Sequence, residues 1–367
     1  MVRGGRGRGG SARSLALTLS IGMIVGAAVV WIATPSETTS VTGASWRPER
    51  GTGQRFSPAE RAVVLQYAFA DEPWAKRVLE QRDRVKSQLD PVLGWSYVDH
   101  TGDLVAVRDG RRASYEPKDP QLTVWFFGGS TMYGGSQRNE YTIPSMVAKL
   151  AEHDGIRIRP VNFGVEGYNS YQEALSFARA LSLGPPPDLV VFYDGANEVA
   201  TAIERVSVGF LDPKFPYFVA VGPERGKRGE SAETAKWTSE QRNKRTVELG
   251  AAQYRQAAAM SDDLARGARV GVVRYWQPSL VTTPVRPFSE ALYARIGADE
   301  STVSQIRSLY DGIRHDSGVD SVDLRDALVG VDHPTFFDWE HTNELGAAAV
   351  ASAMYRDLSG RLRDLVR

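Results

Sequence analysis

The sequence predicts an α/β fold built on a parallel sheet with helices on both faces. Three observations carry that prediction. From residue 120 onward, short apolar runs alternate with segments of helical period. The runs are continuous instead of alternating, as strands buried on both faces must be. Glycines and capping residues sit where the helical patterns start and stop, which is the punctuation of a strand–helix repeat.

The elements follow in chain order. Residues 1–13 carry Arg3, Arg6, Arg8 and Arg13 and no acid, and read as a basic cytoplasmic tail. Residues 14–34 carry no charge, and Pro35 ends the run. Roughly 20 apolar residues at about 1.5 Å rise each span a bilayer core, so 14–34 is expected to be a transmembrane signal anchor. The arginine end stays cytoplasmic and the rest is exported. A cleaved signal has a shorter apolar region ending in a small-x-small site, whereas Trp31 occupies the −3 position of a cut after Ala33. The favoured reading is therefore an uncleaved anchor, with secretion after cleavage as the alternative.

Residues 35–56 are rich in Ser, Thr and Gly and form a linker. Residues 57–119 are a helical and hairpin extension. Ser57-Pro58-Ala59-Glu60 is a capping box that opens a helix to about Ala70. After Pro73 a second helix is expected to about Leu89. The following stretch alternates in hydrophobicity and carries Thr101-Gly102 and Asp109-Gly110 turn signals, which predict a hairpin.

Residues 120–367 form the main domain. Strands are expected at 122–127, 159–163, 188–193, 269–276 and 319–324, with helices at about 144–153, 170–183, 239–266, 289–314 and 343–366. Ser170-x-x-Glu173 and Thr238-x-x-Gln241 read as capping boxes. Residues 205–238 have no period and read as an insertion or lid loop near a site mouth.

Composition narrows the function classes. The 367 residues hold 44 Lys+Arg against 44 Asp+Glu, which argues against a non-specific nucleic-acid binder. There is no Cys, so a thiolate nucleophile, a thiolate zinc site and an iron–sulfur cluster are excluded. No cofactor motif appears.

In parallel sheets, ligands bind beyond the carboxyl ends of the strands. The first strand ends in Gly128-Gly129-Ser130-Thr131, a glycine turn that can present a hydroxyl beside converging N–H groups. A plain turn and a phosphate cradle are the other readings, though the segment has neither a Walker lysine nor GxGxxG spacing. Met132 breaks the GxSxG pattern. The second strand ends in Asn162-Phe163-Gly164-Val165-Glu166-Gly167-Tyr168-Asn169, and the third in Asp194-Gly195-Ala196-Asn197-Glu198. Asn197 is either a turn residue or a neutral amide donor for an oxyanion.

Before the last helix stands Asp338-Trp339-Glu340-His341. A carboxylate three residues before a histidine can hold the imidazole in one tautomer. His333 is the rival base, and His100, His153 and His315 read as surface or structural. Metal ligation by Asp338, His341 and His333 is the competing reading, without an HExxH-like ligand set to support it.

The four segments, in this order, resemble the SGNH (GDSL-type) hydrolases: GGST their serine block, NFGVEGYN their glycine block, DGANE their GxND block and DWEH their DxxH block. The resemblance covers roughly 120–360 and implies a flavodoxin-like α/β/α sandwich with five parallel strands. It implies Ser130 as nucleophile, His341 as its base and Asp338 as the group orienting the imidazole. The backbone N–H groups of Ser130 and Gly167 and the Asn197 side chain would form the oxyanion hole. Two positions depart from the family pattern, Gly129 for an Asp and Glu198 for an Asp. The wording around the blocks looks most like membrane-anchored bacterial members associated with surface polysaccharide.

The function expected from these residues is an extracytoplasmic serine esterase removing acyl groups, with acetyl the first candidate, from a cell-surface glycan. Two alternatives stay open: an acyltransferase using the same residues, and a non-catalytic glycan-binding or assembly protein. Expected partners are an acylated glycan or small ester and the membrane, with no nucleic acid, no metal and no cofactor. Oligomeric state is not predicted.

Overall fold

The computed structural model describes residues 72–217, 231–283, 292–293 and 299–367. The basic tail 1–13, the apolar span 14–34, the linker 35–56 and the Ser57 capping box lie outside these residues, as do residues 218–230 of the 205–238 segment. No helix among the described residues is long and apolar enough to cross a membrane.

The extension opens with α1 (Ala75–Arg82), which stops short of the Leu89 expected from sequence. Ser87–Asp90 is instead strand β1, paired antiparallel with β2 (Gly94–Tyr97). The cause is local. Asp90 Oδ1 accepts the N–H groups of Val92 and Leu93 at 2.9 Å each, folding the Pro91 turn that sends Trp95 and Tyr97 inward. The Asp109-Gly110 turn behaves as its residues demand. Both have positive φ, 51° and 71°, and they join β3 (Val107–Arg108) to β4 (Arg111–Arg112) in a two-residue hairpin.

Next come β5 (Leu122–Gly128), the single-turn α2 (Ser130–Tyr133), α3 (Ile143–His153), β6 (Ile158–Asn162), α4 (Ser170–Leu183) and β7 (Leu189–Asp194). They are followed by α5 (Ala196–Ser207), α6 (Ser239–Ala268), β8 (Gly271–Trp276), α7 (Glu300–Ser317), β9 (Val322–Asp323) and α8 (Glu344–Val366). Strands β5 to β9 run parallel in the order β6-β5-β7-β8-β9. Counted along the chain that is 2-1-3-4-5, the flavodoxin-like doubly wound order. The sheet exceeds the five strands expected, because β4 pairs antiparallel with β6 through Arg112 and Asn162 and adds the β3–β4 hairpin at the edge.

Strand β5 shows why the layers form. Leu122, Val124 and Phe126 face one side, with Val147 and Ala151 of α3 and Val350, Met354 and Leu358 of α8. Trp125 and Phe127 face the other, with Phe177 of α4 and Ala265 of α6. Each fully buried Val, Leu, Phe or Met side chain among these stabilises the fold by about 1.5–3 kcal/mol relative to exposure.

Three elements differ in detail from the sequence expectation. Helix α5 begins where only a turn is expected and ends inside the segment assigned to the 205–238 insertion. Helix α4 is capped one residue earlier than Ser170: Asn169 Oδ1 accepts from Tyr171 and Gln172, and the Gln172 side chain returns the bond. Strand β9 is two residues long. The Thr238–Gln241 box of α6 forms as its sequence reads.

Candidate active site

The site assembles at the carboxyl ends of β5, β6 and β7 from four loops. Ser130 opens α2 directly after β5, and Gly134, at φ 70°, ends that turn. Asn162 at the end of β6 braces the turn. Its Nδ2 donates to Met132 O at 2.9 Å, and its Oδ1 accepts from Gly164 N–H at 2.8 Å. A side chain at Gly164 would collide with the backbone of Met132 and Tyr133. On the other side, Thr131 Oγ1 donates to Gln277 Oε1 at 2.7 Å, tying the serine turn to the end of β8.

His341 lies in the loop before α8, its ring stacked on Phe337 at 5.4 Å between centroids. Its Nε2 is 2.6 Å from Ser130 Oγ and its Nδ1 is 2.6 Å from Asp338 Oδ2. Asp338 Oδ1 accepts the backbone N–H groups of Glu340 and His341 at 3.0 and 2.8 Å. Burial opposes the charge on Asp338, but the imidazole and these donors outweigh it and hold the carboxyl below its ordinary value. Burial likewise disfavours a charged His341, yet the carboxylates of Asp338 and Glu340 raise it to about 9.

The histidine loop is fastened to the serine loop by contacts that sequence reasoning missed. Gln137 Nε2 donates to Thr342 O at 3.0 Å. Arg138 makes a two-pronged pair with Glu344, Nε to Oε1 at 2.9 Å and Nη2 to Oε2 at 2.7 Å. Glu340 was also overlooked. Its Oε1 lies 3.8 Å from His341 Nε2, and burial pushes its carboxyl up to about 7. Glu340 also lines a largely apolar pocket, with Ala196, Val199, Ile203, Ile306 and Trp339 among its other walls.

The remaining expected residues converge on the same place. Gly167 takes φ 80°, a conformation suited to glycine. Asn197 opens the first turn of α5, and its Nδ2 donates to Tyr168 O at 2.8 Å, leaving a second N–H on that nitrogen. Among the described residues, neither the Ser130 nor the Gly167 N–H has a protein acceptor. An Asp in place of Gly129 would displace the Asn197 amide. A Cβ on Gly129 would overlap Asn197 Nδ2 and approach Tyr168 O to 3.1 Å. The longer Glu198, in contrast, has a use: one carboxylate accepts Gly195 N–H at 2.6 Å and Ser170 N–H at 2.7 Å.

The other histidines are elsewhere. His333 Nδ1 bonds the Asp332 carbonyl at 2.7 Å, and the His153 and His315 side chains are exposed. The metal reading that joins His333 to Asp338 and His341 finds no such cluster among the described residues.

No protein-family model matches the chain, and no curated protein matches it. Several solved structures are similar to part of this chain. One is a candidate arylesterase from Agrobacterium tumefaciens str. C58, at 18% identity and TM-score 0.38, covering 65% of this chain and 99% of its own. Another is a variant of Axe2, an acetyl-xylooligosaccharide esterase from Geobacillus, at 15% identity and TM-score 0.38, covering 65% of this chain and 94% of its own. A third is a lipase/acylhydrolase from Enterococcus faecalis, at 15% identity and TM-score 0.37, covering 65% of this chain and 96% of its own.

Proposed function

We propose that this chain is a serine esterase of the SGNH type, acting through an acyl-serine intermediate. The observation that carries the reading is the unbroken relay from Ser130 Oγ through His341 to Asp338, both contacts at 2.6 Å. In the first step Ser130 Oγ attacks the ester carbonyl carbon while neutral His341 Nε2 accepts its proton. The carbonyl oxygen becomes an oxyanion held by the Ser130 and Gly167 N–H groups and the free Asn197 Nδ2–H. The oxyanion collapses, the C–O bond to the alcohol breaks, and the imidazolium gives its proton to the departing alcohol. A water then enters, His341 takes its proton, and hydrolysis of the acyl-serine restores the hydroxyl.

The substrate we propose is an O-acylated, first of all O-acetylated, cell-surface glycan met outside the cytoplasm. Support comes from the uncharged 14–34 segment behind four arginines, which reads as an anchor with the catalytic residues on its exported side. The test is a fluorophosphonate label together with a small acetyl ester. Stoichiometric labelling and turnover, both lost in Ser130→Ala, are the expected result. No Ser130-dependent labelling and no turnover would end the esterase reading.

A further inference from the structure

The extension that precedes the main domain borders the catalytic loop, and the contacts fall on one peptide unit. Val165 to Tyr168 form a hydrogen-bonded turn, Tyr168 N–H to Val165 O at 3.1 Å, with Gly167 in its third position at φ 80°. A positive φ there identifies a type II turn. Type I and type II differ by a flip of the central peptide, here the unit joining Glu166 C=O to Gly167 N–H. Because a trans peptide is planar, whatever fixes that carbonyl also fixes the opposite direction of that N–H.

Trp95 of β2 supplies the fixing bond. Its indole Nε1–H donates to Glu166 O at 2.9 Å, and both residues are buried. The surrounding contacts point the same way. Glu166 N–H donates to the Tyr97 hydroxyl at 3.2 Å, and the Tyr168 hydroxyl donates back to Trp95 O. The Trp95 and Tyr168 rings meet edge-on at 5.3 Å. The Glu166 side chain lies 3.7 Å from the buried Arg82 guanidinium of α1. Tyr97 in turn stacks on Tyr133, the last residue of the serine turn, at 4.6 Å.

We infer that Trp95 is a positioning residue of the oxyanion hole, holding the Glu166–Gly167 peptide in the orientation that aims Gly167 N–H at the site. This rests on the assignment of Gly167 as an oxyanion donor. The extension is then a working part of the catalytic centre, although no residue of it touches the reacting atoms. With the indole bond gone, the central peptide can flip, and the donor is lost for the flipped fraction of molecules.

The experiment compares the full chain in detergent with Trp95→Phe, which keeps an aromatic ring and removes the N–H. Hydrogen exchange at Gly167 and steady-state hydrolysis of an acetyl ester are both read, with circular dichroism to establish folding. Expected are faster exchange at Gly167 and a fall in kcat of about 10- to 100-fold, with KM within about twofold. Arg179→Gln, which breaks the extension's separate tie from α4 to Asp90, should leave kcat unchanged. If Trp95→Phe does not fold, Tyr97→Phe removes the acceptor of Glu166 N–H and is read by the same measurements. A folded variant with unchanged kcat overturns the inference, as does an equal loss in Arg179→Gln. If the wild-type chain turns over no ester, the esterase reading fails on its own. Exchange at Gly167 then decides the clamp alone, faster in the variant for it and unchanged against it.

Discussion

At the scale of single residues, the site is set by two atoms facing His341 Nε2. Ser130 Oγ lies at 2.6 Å and Glu340 Oε1 at 3.8 Å. The imidazole must be neutral to accept the serine proton, so the rate should rise as pH passes upward through its pKa, placed at about 9. Glu340 contributes to that elevation, and its own carboxyl ionises near 7. Replacing it by Gln removes a charge that favours the imidazolium. The acid limb of the kcat/KM profile should therefore move to lower pH in Glu340→Gln, with activity at pH 7 raised. An unshifted limb in a folded variant would contradict this. The same elevation couples to stability: the His341⁺–Asp338 interaction supports the fold fully below the unfolded imidazole value and fades as pH rises through about 9. Asn197 is the other residue whose loss can be read directly. Asn197→Ala removes one of the proposed oxyanion donors, and kcat should fall by about 10²–10³ with the protein still folded, as measured by ester hydrolysis beside circular dichroism.

At the scale of elements, Glu198 does at the starts of two helices what a shorter Asp could do at only one. Its two oxygens accept Gly195 N–H before α5 and Ser170 N–H at the start of α4. They thereby join the loop carrying Asn197 to the loop following Gly167. Gln at this position keeps one acceptor and turns an N–H₂ toward the other donor. Glu198→Gln should lose about 1–3 kcal/mol, read as a lower Tm, whereas an unchanged Tm would mean that water replaces the bond without cost. This pairing also shows what the sequence could and could not convey. Ser130, Asp338 and His341 were legible because four short motifs, each weak alone, follow one another in an order that resembles the SGNH hydrolases, and the structure brings these three side chains into contact at 2.6 Å. Helix α5 was not, because Ala196-Asn197-Glu198 looks like a turn and its apolar face is largely small alanines. Trp95 and Glu166 were not, because their bond joins residues 71 apart with no shared pattern. Glu340 was not, because nothing in the local sequence marks that its carboxyl lies 3.8 Å from the imidazole Nε2.

At the scale of the whole molecule, every residue assigned to the reaction lies between Ser130 and His341, and the clamp extends that requirement back to α1. The span at 14–34 is separated from α1 by 40 residues in sequence, so anchoring and catalysis should be divisible. Such a division has a definite signature. The full chain should sediment with membranes, resist extraction by salt and dissolve only in detergent, as an apolar span of about 20 residues requires. A chain beginning at residue 45 should remain in the soluble fraction and keep the kcat of the full chain, because Arg82, Trp95 and Tyr97 are all retained. A chain beginning at residue 113 should lose activity even if it folds, since Glu166, which precedes Gly167, then has neither the indole donor for its carbonyl nor the Tyr97 acceptor for its N–H. Recovery of the full chain in the soluble fraction would refute the anchor. Full activity of the chain from 113 would refute the dependence of the oxyanion hole on the extension, and the two fractionation and rate measurements are independent of each other.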